Sequence, residues 1–340
     1  MTEPYQSLMA RETAEIPAAA ARLLARADLF ENLAERIAQA RPRIMVFCGR
    51  GSSGHVGVYL RYLFEARLGL LASASAPSVV TAYRRPPDMR ESLFVVVSQS
   101  GRSPDLVTAT QVARKAGALT LAIINEEDSP AAQASELVLP VGAGPERAVA
   151  ATKSVVLSML AGAQLVASLG RDDDLADGLR QVPPRLASAL GCDWSVWADA
   201  AAGAAATFVA GRGYALGCVR ELALKVTEIL RVPALGYSAA ELRHGPRAAI
   251  TRATPVLMLR QNDEAAGTVD DLARDLGAAG ETLFAVGGPH GTLPWIGDGH
   301  PICDPVLMLV PAYKAIEGAA RRRDFDPDNP PHLSKVTRTL

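Results

Sequence analysis

Ile44-Met45-Val46-Phe47-Cys48-Gly49-Arg50-Gly51 decides the fold, because the chain writes it again as Ala206-Thr207-Phe208-Val209-Ala210-Gly211-Arg212-Gly213. Each is an apolar run that enters Gly-Arg-Gly, and Gly49 and Gly211 stand 162 residues apart. Leu93-Phe94-Val95-Val96-Val97-Ser98-Gln99-Ser100 aligns with Pro255-Val256-Leu257-Met258-Leu259-Arg260-Gln261-Asn262 at the same offset. Farther on, Ala113-Arg114-Lys115-Ala116-Gly117 aligns with Ala273-Arg274-Asp275-Leu276-Gly277 at an offset of 160, as a two-residue deletion produces. Separate patches at one offset mean a tandem duplication.

Working outward, each copy alternates short apolar runs with longer segments of helical spacing. In the first copy the runs lie near 43–48, 93–98, 119–124 and 136–140, with helical patterns over 54–69 and 104–117. Strands that are apolar throughout and separated by helices mean a parallel sheet buried on both faces. The expected fold is therefore α/β: two tandem doubly wound, parallel-sheet domains of flavodoxin-like type, related by duplication. The expected boundaries are an N-terminal helical segment over 1–40, a first domain over 41–171 and a second over 195–325. Between them, 172–194 carries an acidic run and Pro183-Pro184 and reads as a connection, and 326–340 forms a C-terminal tail.

Composition excludes several classes. The 340 residues exceed what one hydrophobic core usually organises, and the formal net charge of −1 gives no handle for nucleic acid or an anionic membrane. The run Arg321-Arg322-Arg323 is answered at once by Asp324 and Asp326. The four cysteines, Cys48, Cys192, Cys218 and Cys303, have no CxxC spacing and no histidine at metal-ligand distance. A reducing compartment without disulfides or a zinc site is expected. Met1-Thr2-Glu3-Pro4 lacks the pattern of a signal peptide. A cytoplasmic protein that needs no cofactor or metal is the expectation.

Open parallel sheets bind ligands at the carboxyl ends of their strands. The first copy places two hydroxyl-rich loops there: Gly49-Arg50-Gly51-Ser52-Ser53-Gly54, and Ser98-Gln99-Ser100-Gly101-Arg102-Ser103 before Pro104. Glycines let backbone approach an anion, and N–H groups at a helix start, with serine hydroxyls, donate to phosphate oxygens. Serines in such loops also serve as plain N-caps and turn formers. The second copy has Arg260-Gln261-Asn262-Asp263 where the first has Ser98-Gln99-Ser100-Gly101, so the fold itself does not require the serines. That contrast favours an anion-binding role in the first copy.

Ser98-Gln99-Ser100-Gly101, the Gly51-Ser52-Ser53 loop, Val149-Ala150-Ala151-Thr152-Lys153, Glu241-Leu242-Arg243-His244-Gly245-Pro246 and the tail Asn329-Pro330-Pro331-His332-Leu333-Ser334-Lys335 occur in a fixed order. Together they resemble the sugar isomerase (SIS) family. Within it they are similar to the isomerase half of glutamine–fructose-6-phosphate amidotransferase and to stand-alone SIS-type glucosamine-6-phosphate deaminases. The resemblance implies that Gly51, Ser52, Ser53, Ser98, Gln99, Ser100, Ser103, Val149 and Lys225 hold the sugar phosphate. It implies that Glu228 moves a proton between sugar carbons 1 and 2 and that His244, supplied by a neighbouring subunit, assists ring opening. Lys335 would meet the open-chain carbonyl, and the working unit would be a homodimer. Ala151 departs from the serine of the synthases, where the contact is largely through backbone.

The residues support part of this without the family. Glu221, Lys225 and Glu228 fall at i, i+4 and i+7 on one helix face, among Leu, Ala and Val. A partly desolvated carboxylate beside a lysine suits general acid–base work, although most such charges form solvated pairs. His244 precedes a Gly-Pro pair and is a loop histidine, suited to proton transfer or simply exposed. Lys335 in its proline-bounded tail reads by itself as an ordinary solubilising lysine.

A glutaminase domain with its N-terminal nucleophilic cysteine is not found in the sequence, so deamination of glucosamine 6-phosphate is the expected reaction. Galactosamine-6-phosphate deamination, aldose–ketose isomerisation, fructosamine-6-phosphate cleavage and a non-catalytic sugar-phosphate sensor stay open. Retention of Glu228, His244 and Lys335 together argues against the sensor.

Overall fold

Strand β1, Ile44–Cys48, leads directly into helix Ser52–Leu68, and this strand-to-helix step sets the pattern of the whole chain. The computed structural model describes residues 6–335, which divide into two units. One unit holds Ala18–Glu146, Lys153–Arg180 and the chain from Ser334 on. The other holds the chain up to Pro17, Arg147–Thr152 and Gln181–Leu333.

The first unit carries five parallel strands: β1, β2 (Leu71–Ala74), β3 (Ser92–Ser98), β4 (Leu119–Ile124) and β5 (Leu137–Pro140), in the order β2-β1-β3-β4-β5. All seven residues of β3 are buried, as a central strand covered by helices on both faces requires. Its partners run in register from Cys48↔Val96 on one side to Ser98↔Ile124 on the other, so the ends of β1, β3 and β4 lie at one edge of the sheet. Helix Pro104–Lys115 follows β3, starting at a proline that already has helical φ.

Helix Lys153–Gly170 is, among the described residues, the single helix long and apolar enough to cross a membrane by length and composition. It is instead a core element, with 78% of its length buried. It packs against helices Ser52–Leu68 and Ala27–Ala40.

The second unit repeats the order with four parallel strands: β6 (Thr207–Gly211), β7 (Ala234–Ser238), β8 (Val256–Leu259) and β9 (Leu283–Val286), arranged β7-β6-β8-β9. The duplication therefore extends to topology, with β6 through β9 standing for β1 through β4. Helix Asp304–Arg322 is buried along most of its length and packs on helices Leu216–Lys225 and Ser195–Gly203. Trp194 and Trp197 meet edge to face at 6.2 Å, and the Trp194 indole donates to the Pro294 carbonyl at 2.8 Å.

Two segments differ from the simplest reading of the sequence. Residues 172–194 contain two helices, Asp173–Arg180 and Val182–Ala189, and the division between units falls between them. The N-terminal segment forms three helices, and the first, Leu8–Ala14, belongs to the unit of the second sheet. The Asp328 carboxylate accepts from the Leu8 and Met9 N–H groups, each at 2.8 Å, and the Ser7 hydroxyl donates to Glu317 at 2.7 Å. These bonds satisfy the unpaired donors of the helix start from a residue 320 positions away in sequence.

Candidate functional site

In the first unit both serine loops sit where the sequence places them, at the carboxyl ends of the adjacent strands β1 and β3. Gly51 caps helix Ser52–Leu68 at φ 51°, ψ −128°, a conformation open to glycine and strained for other residues. Ser52 and Ser53 begin that helix, half-buried. In the second loop the Ser98 hydroxyl accepts from the Gly101 N–H at 3.0 Å, and Ser98 and Ser103 are buried. Gly101 is at φ 62°, and a Cβ there would fall 2.1 Å from the Ser129 hydroxyl, so the turn admits glycine alone without rearrangement. Ser103 occupies the N-cap of helix Pro104–Lys115 without a side-chain cap bond. Gln99 and Ser100 are half-buried between these points.

The equivalent loop of the second unit is closed on itself. Gln261, 1% exposed, donates to the Arg212 carbonyl at 2.9 Å and to Asp263 at 2.7 Å. A carboxylate, Asp263, stands where the first copy has Gly101. This copy has no serine at these positions and carries a carboxylate in the loop.

The second unit instead carries the Glu221, Lys225 and Glu228 group. Helix Leu216–Lys225 continues into a π-helical turn, Val226–Leu230, that ends at Arg231 with φ 58°. Glu228 sits in that turn. Single π-turns inside helices are uncommon and recur at functional sites. The Lys225 ammonium lies 2.6 Å from Glu228 Oε2 and 3.4 Å from Glu221 Oε1, and the Tyr313 hydroxyl donates to Glu221 at 3.2 Å. Lys225 and Glu221 are fully buried, whereas the Glu228 side chain keeps 20% of its exposure.

Burial pulls the Lys225 ammonium toward the neutral form, and the charges of Glu221 and Glu228 more than offset it, holding its pKa above the ordinary lysine value. Lys225 was expected to touch the substrate, and here its ammonium is engaged by two carboxylates. The group fixes the Glu228 carboxylate by the Lys225 ammonium and leaves one side toward solvent, within reach of an incoming molecule.

The remaining candidates are dispersed. His244 is exposed and leads into the 3-10 turn Gly245–Ala249. No hydrogen bond or ion pair joins it to the Lys225 group among the described residues. Val149, in the loop before helix Lys153–Gly170, donates its N–H to the Asp328 carbonyl at 3.0 Å. Lys335 lies in the first unit, where its ammonium approaches Glu146 Oε2 at 3.4 Å. Glu146 is buried and also accepts from the Ser154 hydroxyl at 2.6 Å and the Ser154 N–H at 2.9 Å. Reading by motif and spacing misses Glu146 and Tyr313, which are brought in from distant segments. It also passed over Asp105, a buried acid in the first turn of helix Pro104–Lys115 that is ion-paired with Arg50. Among the described residues no group of three or more His, Cys, Asp or Glu side chains is arranged to hold a metal.

Fold and residues together define a class: a duplicated doubly wound α/β protein in which one copy keeps serine-rich loops at its strand ends and the other a buried carboxylate–ammonium group. The sequence model of the SIS domain matches residues 36–168 and 203–285, and the chain belongs to that family.

Among curated proteins it is 32% identical over 321 residues to the glutamine–fructose-6-phosphate aminotransferase (isomerizing) of Symbiobacterium thermophilum, across 89% of this chain and 52% of that one. The enzyme of the same name from Methanothermobacter thermautotrophicus is 30% identical over 349 residues, across 97% and 57%. The chain thus spans about half the length of these curated relatives. Among solved structures, a candidate phosphosugar isomerase from Silicibacter pomeroyi superposes with a TM-score of 0.90 at 37% identity, covering 95% of this chain and 100% of that one. The glucosamine-6-phosphate deaminase of Thermotoga maritima superposes at 0.77 with 24% identity, across 98% and 100%, a likeness of fold alone.

Proposed function

We propose that the protein is a sugar-phosphate enzyme that converts glucosamine 6-phosphate and water to fructose 6-phosphate and ammonia. The observation that carries this is Glu228, a carboxylate held 2.6 Å from a buried ammonium in a π-turn and left partly open to solvent. The serine loops after β1 and β3 supply the hydroxyl and N–H donors that a phosphate requires. The aminotransferase names of the curated relatives, and the phosphosugar-isomerase name of the Silicibacter protein, fit the same chemistry.

In the proposed reaction Glu228 removes the C2 proton of the open-chain amino aldose, giving an enaminol between C1 and C2. The proton returns at C1, leaving an imine at C2. Water adds to that imine and ammonia departs, which completes fructose 6-phosphate. Lys225 holds Glu228 in place, His244 shuttles the proton of ring opening, and Lys335 meets the open-chain carbonyl. Proton transfer and phosphate binding are what these residues offer, and deamination asks for nothing further except water.

The test is product analysis of the purified protein with glucosamine 6-phosphate: fructose 6-phosphate and ammonia in equal amounts are expected. Ketose formation from glucose 6-phosphate, with no ammonia from any hexosamine phosphate, would replace deamination by plain isomerisation. Phosphosugar binding without turnover of any would make the protein a sensor.

A further inference from the structure

The Gly-Arg-Gly turn places Arg50 inside the first serine loop, with its Nε turned to the second loop. It donates to Oδ2 of Asp105, the second residue of helix Pro104–Lys115, directly after the N-cap Ser103 of the second loop. Asp105 is buried, with its side chain 1% exposed, whereas the Arg50 side chain keeps 44% of its exposure. Oδ1 of Asp105 is buried and has no hydrogen-bond partner among the described residues. A carboxylate in the first turn of a helix takes the place that the helix dipole offers to an anion. Here that helix is the one whose start would cradle phosphate, so an uncompensated Asp105 would repel the substrate.

The duplication supplies an internal control. At the same offset of 162 residues, Arg212 of the second copy corresponds to Arg50, but Gly267 stands in place of Asp105. The second sheet forms with the same strand order without the pair. The fold therefore does not require it, and the pair accompanies the copy that keeps its serine loops.

We propose that Arg50 is a positioning residue for phosphate: it cancels the charge of buried Asp105 and ties the loop after β1 to the loop after β3, so that both present donors to one anion. This rests on the reading of the two loops as the phosphate site.

Charge cancellation predicts opposite signs for the two single substitutions. Arg50→Gln leaves a buried carboxylate unpaired beside the anion, and binding of inorganic phosphate and of glucosamine 6-phosphate should weaken about tenfold or more. The rise should appear in KM with a smaller change in kcat. Asp105→Asn retains an acceptor for Arg50 Nε but removes the negative charge, so phosphate binding should tighten, by about threefold or more. Arg50→Gln combined with Asp105→Asn should recover most of the loss caused by Arg50→Gln alone.

Calorimetric titration of the full chain reads all three variants, and Arg50→Lys, which keeps the charge, serves if Arg50→Gln does not fold. It should bind phosphate better than any neutral replacement. A purely structural tie would weaken binding in both single variants and show no recovery in the double variant, and that outcome overturns the proposal, as does Asp105→Asn binding no tighter than wild type. Phosphate binding lost in Ser98→Ala/Ser100→Ala but indifferent to Arg50 would remove the positioning role alone. Binding insensitive to both would remove the phosphate site and this role with it.

Discussion

At the scale of single residues, the decisive arrangement is Lys225 between Glu221 and Glu228. Taking away one partner of a buried charge pair leaves the other uncompensated, at a cost of roughly 3–5 kcal/mol. Lys225→Met should therefore lower stability strongly in chemical denaturation, and Lys225→Met with Glu221→Gln should recover part of it.

The sign with pH follows from the raised pKa. The stabilisation by the ammonium is fully present below the ordinary value of 10.5 and is lost only as pH climbs through the higher folded value. The stability gap between wild type and Lys225→Met should stay constant from neutrality to about pH 10.5 and narrow from there up to the higher folded value. For the anion loops, Ser98→Ala with Ser100→Ala removes two hydroxyls, and hydrogen bonds to charged groups contribute roughly 1.5–3 kcal/mol each. KM for the sugar phosphate should rise by an order of magnitude or more, and unchanged kinetics would refute the assignment.

The i, i+4, i+7 spacing made the three charges legible as one group. The π-turn was not legible, because Val226-Thr227-Glu228-Ile229-Leu230 satisfies ordinary helical periodicity. It belongs to the folded backbone, where the turn ends at Arg231 in the left-handed region.

At the scale of elements, the central strands were readable because burial on both faces makes them apolar throughout, as in β3. The edge strands β2 and β7 were not. In β2 only Ala72 is buried, and Leu71 remains 69% exposed, so Leu71-Ala72-Ser73-Ala74 carries little strand signal. The strand exists because β1 offers it a ladder, with Ile44↔Leu71 through Phe47↔Ala74 in register. The same holds for β7 beside β6, where Leu235 is 49% exposed.

Helix Leu8–Ala14 is likewise set by tertiary contacts, since seven residues are too few to hold a helix in water. Asp328→Ala removes the acceptor of two N–H groups at its start and should cost about 1–2 kcal/mol, by analogy with lost N-caps. The loss should appear as a lower thermal midpoint with no change in the Glu228-dependent chemistry.

At the scale of the molecule, the duplication was legible from one constant offset, and it explains the shared strand order of the two sheets. One copy kept the hydroxyl loops, and the other replaced Ser98, Ser100 and Gly101 by Arg260, Asn262 and Asp263 while presenting Glu221, Lys225 and Glu228. What no offset could supply was the identity of long-range partners such as Tyr313 to Glu221, which depend on how helix Asp304–Arg322 packs.

His244 is exposed, and a role in a partner subunit's site makes a strong prediction. Mixed and exchanged His244→Ala and Glu228→Gln subunits should regain part of the activity that each lacks alone. An exchanged mixture that stays silent would refute the shared site.

The most direct test of the central claim is ammonia release from glucosamine 6-phosphate, measured side by side for the wild type and Glu228→Gln. Steady release by the wild type, abolished in Glu228→Gln while that variant still binds the sugar phosphate, is the predicted result. Equal release by both proteins, or none by the folded wild type, would contradict it.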